Sequence, residues 1–339
     1  MTTLQLVWFI VIGVLFAGFF FLEGFDYGVG MSVQTLAKND SERDLIVRTI
    51  GPVWDGNEVW LIAAGGSMFA SFPYWYSSLF SGFYLVFFLI LFALIIRGVS
   101  FEFRGRVSIK SKHIWNWILA IGSFIVPFTF GVVFIDMIQG MPIDKNGDIW
   151  AGFTNYVNLF SIVAGIAMAL IAYLHGLNYI GLKTEWPLRQ RVKLYAKWLY
   201  PVLYIGLVIF AILLYFKTDF FKVHFVATLL LIVLIVLLTI IGHISVLKGK
   251  EGIAFTTSGF SLVALVAMIF VGLFPRLMVS TINQKYDLLI TNGSSSPYTL
   301  KIMTISVCIF LPVVLLYIGW TYYIFRKRVS NRNPVGNNS

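Results

Sequence analysis

Apolar runs of about twenty residues follow one another along the whole chain, and short polar segments separate them. A bilayer core about 30 Å thick is crossed by roughly 20 helical residues, so each run predicts one spanning helix. The runs lie at 5–34, 54–72, 78–101, 114–138, 154–182, 199–216, 224–247, 253–274 and 299–325. The pattern therefore predicts an all-α integral membrane protein with nine transmembrane helices.

Basic residues between the runs predict the orientation. With the N-terminus outside, inner segments carry Lys and Arg over outer segments by about three to one. This bias favours an outer N-terminus and a cytoplasmic C-terminus. Residues 1–328 then form a single polytopic domain, and the polar segment 329–339 is predicted to be a disordered cytoplasmic tail. The N-terminal segment lacks a basic start and a cleavage site, so it predicts a retained first helix.

Composition agrees with this class, because 59% of the residues are hydrophobic and only 12% are charged. Soluble domains are about a quarter charged. The net charge of +10 does not predict a nucleic-acid partner, because the basic residues form short clusters beside the apolar runs. A single cysteine, Cys308, excludes a disulfide framework and a CxxC motif.

Two pairs of acids stand at membrane depth. Glu23 and Asp26 lie late in the first run, and Asp55 and Glu58 open the second. Members three residues apart share a helix face, and both pairs are expected at the cytoplasmic side. Arg97 is expected at a similar depth and is a candidate charge partner.

Charges in hydrocarbon cost roughly 2.5–3.5 kcal/mol each at the bilayer centre, so such groups face protein or water and form pairs. The four acids are candidates for a proton pathway. An ion-pair set that only holds three helices together explains the spacing equally well.

Three glycines, Gly24, Gly28 and Gly30, follow the first acid. Small residues four apart allow close approach of membrane helices, so we interpret these glycines as helix-packing residues. No strand precedes them, which excludes a dinucleotide-binding loop.

The histidines do not form a metal or haem motif. His175, His224 and His243 lie at plausible depth for an axial haem ligand, but ordinary buried polar roles are favoured. Asp136, with Asn155 and Asn158, marks a second polar layer that is interpreted as interfacial.

Five ordered blocks resemble subunit II of cytochrome bd-type quinol oxidases. They read FLEGFDYGVG at 21–30, IGPVWDGNEVWLI at 50–62, GGSMFASFP at 65–73, SGFY at 81–84 and RGVSFEFR at 97–104. The resemblance is dense over residues 20–104 and weaker beyond.

The resemblance implies a bacterial cell-membrane protein of two four-helix bundles plus one peripheral helix. It implies a haem-free partner of a subunit I that carries haems b558, b595 and d and oxidises quinol while reducing oxygen to water. It also implies a heterodimer, a possible small accessory subunit and contact with lipids and quinone. Asp55 and Asp26 match positions associated with proton delivery, whereas the roles of Glu23 and Glu58 are less defined.

Two other functions remain open from the residues. A proton-coupled secondary transporter could use the same acids, but the acids lie near one face and no matched pair of interrupted helices is visible. A purely structural scaffold is the third alternative. A co-purifying haem-rich subunit would distinguish the oxidase from both.

Overall fold

A computed structural model describes residues 1–329, without the side chains of Ile109 and Lys110. The long helices are α1 (Thr3–Thr35), α2 (Asp40–Ile50), α3 (Trp54–Ser71), α4 (Pro73–Gly82), α5 (Tyr84–Phe103), α6 (Ile109–Gln139), α8 (Leu159–Lys183), α9 (Leu188–Lys217), α11 (Phe225–Leu247), α12 (Glu251–Leu273) and α14 (Pro297–Ile324). The short elements are α7 (Phe153–Tyr156), α10 (Phe220–Val223), α13 (Ile290–Gly293), β1 (Arg276–Met278), β2 (Leu288–Leu289) and a 3-10 turn at Gln284–Tyr286. Apart from Val329, the predicted tail lies outside the described residues.

Eight helices of the described part are long and apolar enough to cross a membrane: α1, α5, α6, α8, α9, α11, α12 and α14. The fold is therefore that of an all-helical membrane protein. Helix α3 covers the predicted second span, but it is only 18 residues long, opens with polar residues and is not among the eight.

The helices pack in two groups on either side of α1 and α8. Helix α1 contacts α3 and α6, and α5 packs along α6, while α8 contacts α9 and α12, and α11 contacts the same two helices. Contacts of α1 with α8 and α12 join the groups. The core between them is rich in phenylalanine, with Phe130 in edge contact with Phe19 and Phe20, which are tilted against each other. Apolar residues on the outer faces remain exposed, as expected for a bilayer solvent.

Some helices differ from the predicted spans. Helix α9 begins at Leu188, eleven residues before the predicted span 199–216, because its first turns are amphipathic and bury only Leu188, Val192 and Ala196. A hydropathy window does not detect such a segment. A break at Phe83 likewise separates α4 from α5. The predicted span 78–101 therefore includes the end of α4 and most of α5.

Helix α2 was not predicted at all. It is short and polar on average, but the Asn39 side chain caps its first turn by accepting a hydrogen bond from the Glu42 N–H at 2.9 Å. Its apolar face buries Leu45 and Ile46. An ion pair between Glu42 and Arg191 then attaches α2 to α9.

In the segment between α12 and α14, β1 and β2 pair antiparallel, and Arg276 makes a bidentate ion pair with Asp219 at 2.7 and 2.8 Å. A hydrogen bond of 2.7 Å from Gln5 to Ser294 places this segment beside the first turn of α1. The acids at positions 23 and 26 are roughly 30 Å away along α1.

Candidate functional site: a buried acid cluster

The centre of the site is the guanidinium of Arg97 on α5, which is fully buried. Its Nη1 lies 2.6 Å from Glu23 Oε1 on α1 and 2.7 Å from Glu58 Oε1 on α3. Glu23 is completely enclosed, whereas the Glu58 side chain is 28% exposed. One positive charge therefore connects three helices and two carboxylates.

Asp26 extends the site by one turn of α1. Its Oδ2 accepts a hydrogen bond from Asn57 Nδ2 at 2.7 Å, and Asn57 Oδ1 accepts one from the Tyr322 hydroxyl at 2.8 Å. Both Asp26 and Asn57 are buried. We call Glu23, Asp26, Asn57, Glu58 and Arg97 the acid cluster.

Two aromatic rings enclose the guanidinium. The Arg97 Cζ atom lies 4.8 Å from the centre of the Tyr27 ring and 5.2 Å from that of Phe101. Cation–π contacts of this kind stabilise a desolvated cation by about 1–2 kcal/mol. They also separate the charge from lipid on those sides.

Asp55 is not enclosed with the other acids. It is exposed in the first turn of α3, three residues before Glu58, and makes no ion pair or hydrogen bond within residues 1–329. Of the five ionisable residues predicted for the site, the structure brings together Glu23, Asp26, Glu58 and Arg97. Asp55 is exposed at the rim of the site, one helical turn before Glu58.

Three polar residues of the site were missed by sequence reasoning. Asn57 lies between the two acids of α3, Tyr27 directly follows Asp26, and Tyr322 belongs to the last helix. Asn57 could have been found, since an amide beside acids in a spanning helix needs a partner. No local signal connects Tyr322 with the site, because the contact joins distant parts of the chain.

The predicted packing glycines lie at helix crossings around this site. A Cβ atom on Gly28 would meet Ala172 O at 2.2 Å and Gly176 Cα at 2.7 Å, so α1 and α8 are in backbone contact there. On Gly30 it would meet Ser123 Oγ of α6 at 2.0 Å, whereas on Gly24 the nearest contact is Leu262 Cδ1 at 3.1 Å. The nearest contacts of Gly28 are backbone atoms, which cannot rotate away, whereas those of Gly30 and Gly24 are side-chain atoms.

Comparison with known proteins gives concordant results. The family model of cytochrome bd terminal oxidase subunit II matches residues 4–325. Cytochrome bd ubiquinol oxidase subunit 2 of Bacillus subtilis (strain 168) is 44% identical over 336 residues, covering 99% of both chains. Cytochrome bd-I ubiquinol oxidase subunit 2 of Escherichia coli (strain K12) is 29% identical over 364 residues, covering 97% of this chain and 96% of that one.

This chain belongs to the cytochrome bd terminal oxidase subunit II family. A solved structure of bd oxidase from Geobacillus thermodenitrificans has the same fold, with a TM-score of 0.73 and 16% identity over 96% of this chain and 100% of that one. The predicted resemblance is confirmed. This subunit II is accordingly a multi-pass protein of a bacterial cytoplasmic membrane and part of an oxidoreductase complex with a subunit I.

Membership of a haem-containing complex raises the question of axial ligands. In subunit II, His175 is buried and both ring nitrogens are engaged, Nδ1 with Ser258 Oγ at 2.8 Å and Nε2 with Phe21 O at 2.9 Å. His243 Nδ1 lies 3.1 Å from the Tyr204 hydroxyl, and His224 Nε2 lies 2.7 Å from Phe274 O. Both ring nitrogens of His175 are thus occupied, whereas Nε2 of His243 has no hydrogen-bond partner in the described part of the chain.

A second buried acid, Asp136, lies near the C-terminus of α6. It accepts hydrogen bonds from Gln139 at 2.7 Å and from Asn158 at 3.4 Å. Its side chain is fully buried within the protein, and the interfacial depth of this layer stays a prediction. Within the described residues, no group of three or more His, Cys, Asp or Glu side chains could hold a metal ion.

Proposed function

We propose that this subunit II is the haem-free partner of a haem-bearing subunit I in a heterodimeric quinol:oxygen oxidoreductase. Subunit I would carry haems b558, b595 and d, oxidise quinol and reduce oxygen to water. Subunit II stabilises subunit I within the membrane and contacts lipids and quinone. The complex can also contain a small accessory subunit. The engagement of both ring nitrogens of His175 supports a role without an axial ligand at that position.

The same proposal includes the membrane topology. Residues 1–328 form one domain of nine spans, with an outer N-terminus and a cytoplasmic C-terminus. These are the eight long apolar helices together with α3, which is the second span along the chain. Eight spans form two four-helix bundles and α14 is peripheral. The excess of Lys and Arg in alternate connections supports this orientation, which places the acid cluster on the cytoplasmic side.

Within the complex, the acid cluster provides a proton route from the cytoplasm. Asp55 is the exposed entrance, Glu58 lies between it and Arg97, and Glu23 and Asp26 are the enclosed groups. The observation that carries this proposal is that two carboxyl groups contact a single buried guanidinium, while a third, that of Asp26, lies buried one helical turn away. Full ionisation would leave uncompensated negative charge in a low-dielectric interior, which is costly. The cluster therefore holds an exchangeable proton, as a relay requires.

Asp55→Asn in the whole oxidase is expected to slow turnover about tenfold or more, with normal assembly, because the amide cannot transfer a proton. Asp26→Asn is expected to act in the same direction. The measurement is quinol-dependent oxygen consumption per haem. Glu102→Gln is the matched control, because Glu102 is an exposed acid that, among the residues the structure describes, pairs only with Arg106. Full turnover of both Asp55→Asn and Asp26→Asn would exclude the proton route.

The haem-free role has its own test. Conservative replacements His175→Asn and His243→Gln are expected to leave the haem absorption spectrum of the purified oxidase unchanged. Both substitutions keep a polar side chain for the neighbouring partners, so the complex should assemble. Loss of one haem's absorption band in either variant would assign an axial ligand to subunit II and contradict the proposal.

A further inference from the structure

Helix α14 is the most peripheral helix of the described chain. None of the 18 residues in its most apolar window is buried, and its substantial contacts are with α1 and α3 only. Along most of its length it exposes both faces. Its position must therefore depend on a few specific contacts near its two ends.

At the start of α14, the indole of Trp8 donates to Leu300 O at 3.1 Å and to Thr304 Oγ1 at 3.0 Å. At the other end, the ammonium group of Lys183 donates to the carbonyls of Phe325 and Lys327. The Val329 N–H donates in turn to Lys183 O at 2.8 Å. Carbonyls at a helix C-terminus lack partners within the helix, and a lysine is well suited to satisfy them.

Tyr322 lies just before the end held by Lys183, and its hydroxyl is the polar group that α14 contributes to the acid cluster. This hydroxyl donates to Asn57 Oδ1, while Asn57 Nδ2 donates to Asp26 Oδ2 and, at 3.2 Å, to Leu22 O. The three contacts agree on one orientation of the amide, with oxygen toward α14 and nitrogen toward α1, and the Tyr322 hydroxyl is the contact on the oxygen side. With the amide reversed, its oxygen would face the Asp26 carboxylate and the hydrogen bond would be lost.

We propose that Tyr322 is a positioning residue for proton transfer: through the orientation of Asn57, it sets the hydrogen bond that Asp26 receives. Lys183 supports this arrangement by holding the end of α14. The inference rests on the proposed proton route and adds to it a group from the last helix. Tyr322 itself does not need to carry the proton.

The test is Tyr322→Phe in the whole oxidase, which removes one hydroxyl and keeps the ring. One neutral hydrogen bond corresponds to a factor of about two to ten, so kcat should fall within that range with the quinol KM unchanged. The solvent deuterium isotope effect on kcat should rise, because proton delivery then limits turnover more strongly. A merely structural role would lower the haem content or thermal stability without raising the isotope effect.

Tyr323→Phe is the matched control, because the neighbouring ring is exposed and its hydroxyl has no hydrogen bond in the described part of the chain. Asn57→Ala should reproduce the effect of Tyr322→Phe, and the double variant should be no slower than Asn57→Ala alone. Additive effects would overturn the inference. So would unchanged kinetics of Tyr322→Phe while Asp26→Asn is slow, a result that leaves the proton route intact. Should Tyr322→Phe fail to assemble, Lys183→Met removes the hydrogen bonds that hold the end of α14 beside the acid cluster. An unchanged isotope effect in that variant would equally overturn the inference.

Discussion

Arg97→Met is expected to prevent stable accumulation of the oxidase. The substitution keeps an unbranched apolar stem but removes the guanidinium, which leaves Glu23 and Glu58 without their shared positive charge. Removing one partner of a buried ion pair costs about 3–5 kcal/mol, which is a large part of the stability of most folded proteins. The measurement is the amount of haem-loaded complex in membranes and its thermal unfolding temperature after purification.

Two variants show whether the loss arises from uncompensated charge. Glu23→Gln combined with Arg97→Met should recover much of the yield, because the fully enclosed carboxylate is then neutral. Arg106→Gln breaks a pair whose side chains are 78% and 64% exposed, and should cost less than about 1 kcal/mol. If Arg97→Met accumulates normally, the ion pairs of Arg97 contribute little to assembly.

Gly28→Val is expected to separate α1 from α8. The new Cβ would lie 2.2 Å from Ala172 O and 2.7 Å from Gly176 Cα, and these backbone atoms cannot rotate away as a side chain can. Overpacking of this kind costs about 1–3 kcal/mol or more, and the upper end applies where backbone must move. The complex should unfold at lower temperature and lose turnover, because the acids at positions 23 and 26 lie on the displaced helix.

Gly206→Ala is the matched control for this prediction. Gly206 lies within α9, and a Cβ atom there would meet nothing within 4 Å. The unfolding temperature and turnover of the Gly206→Ala oxidase should equal those of the unmodified oxidase. A Gly28→Val variant with the same values would show that the α1–α8 contact is not required.

Much of the fold follows from hydropathy alone. Helices such as α11 and α12 match the runs at 224–247 and 253–274 within two residues, because a bilayer requires long continuous apolar segments. The polar helix α2 and the first turns of α9 were missed for the same reason. Their stability comes from one buried face and from ion pairs such as Glu42 with Arg191, which a hydropathy average does not register.

The candidate site was predictable in part. Charges within spanning helices are rare, so Glu23, Asp26, Glu58 and Arg97 could be grouped by depth before any contact was known. Spacing of three residues also placed Asp55 on the face of Glu58, yet Asp55 is exposed while Glu58 reaches Arg97. Residues three apart lie only approximately on the same side of a helix. Which of the two is buried depends on the neighbouring helices. Tyr322 could not be predicted, because its contact depends on how the last helix packs.

The order in which the helices are synthesised gives Arg97 a role in biogenesis. A chain made from its N-terminus exposes Glu23 and Asp26 to the membrane before Arg97 has left the ribosome, and Tyr322 follows only at the end. During that interval the two acids lack their counter-charge and must remain hydrated or neutral. Once α5 is synthesised, Arg97 can pair with Glu23, and α1 can then pack in its final position. The Tyr322 hydroxyl is added last, so a chain truncated during synthesis lacks the hydrogen bond to Asn57.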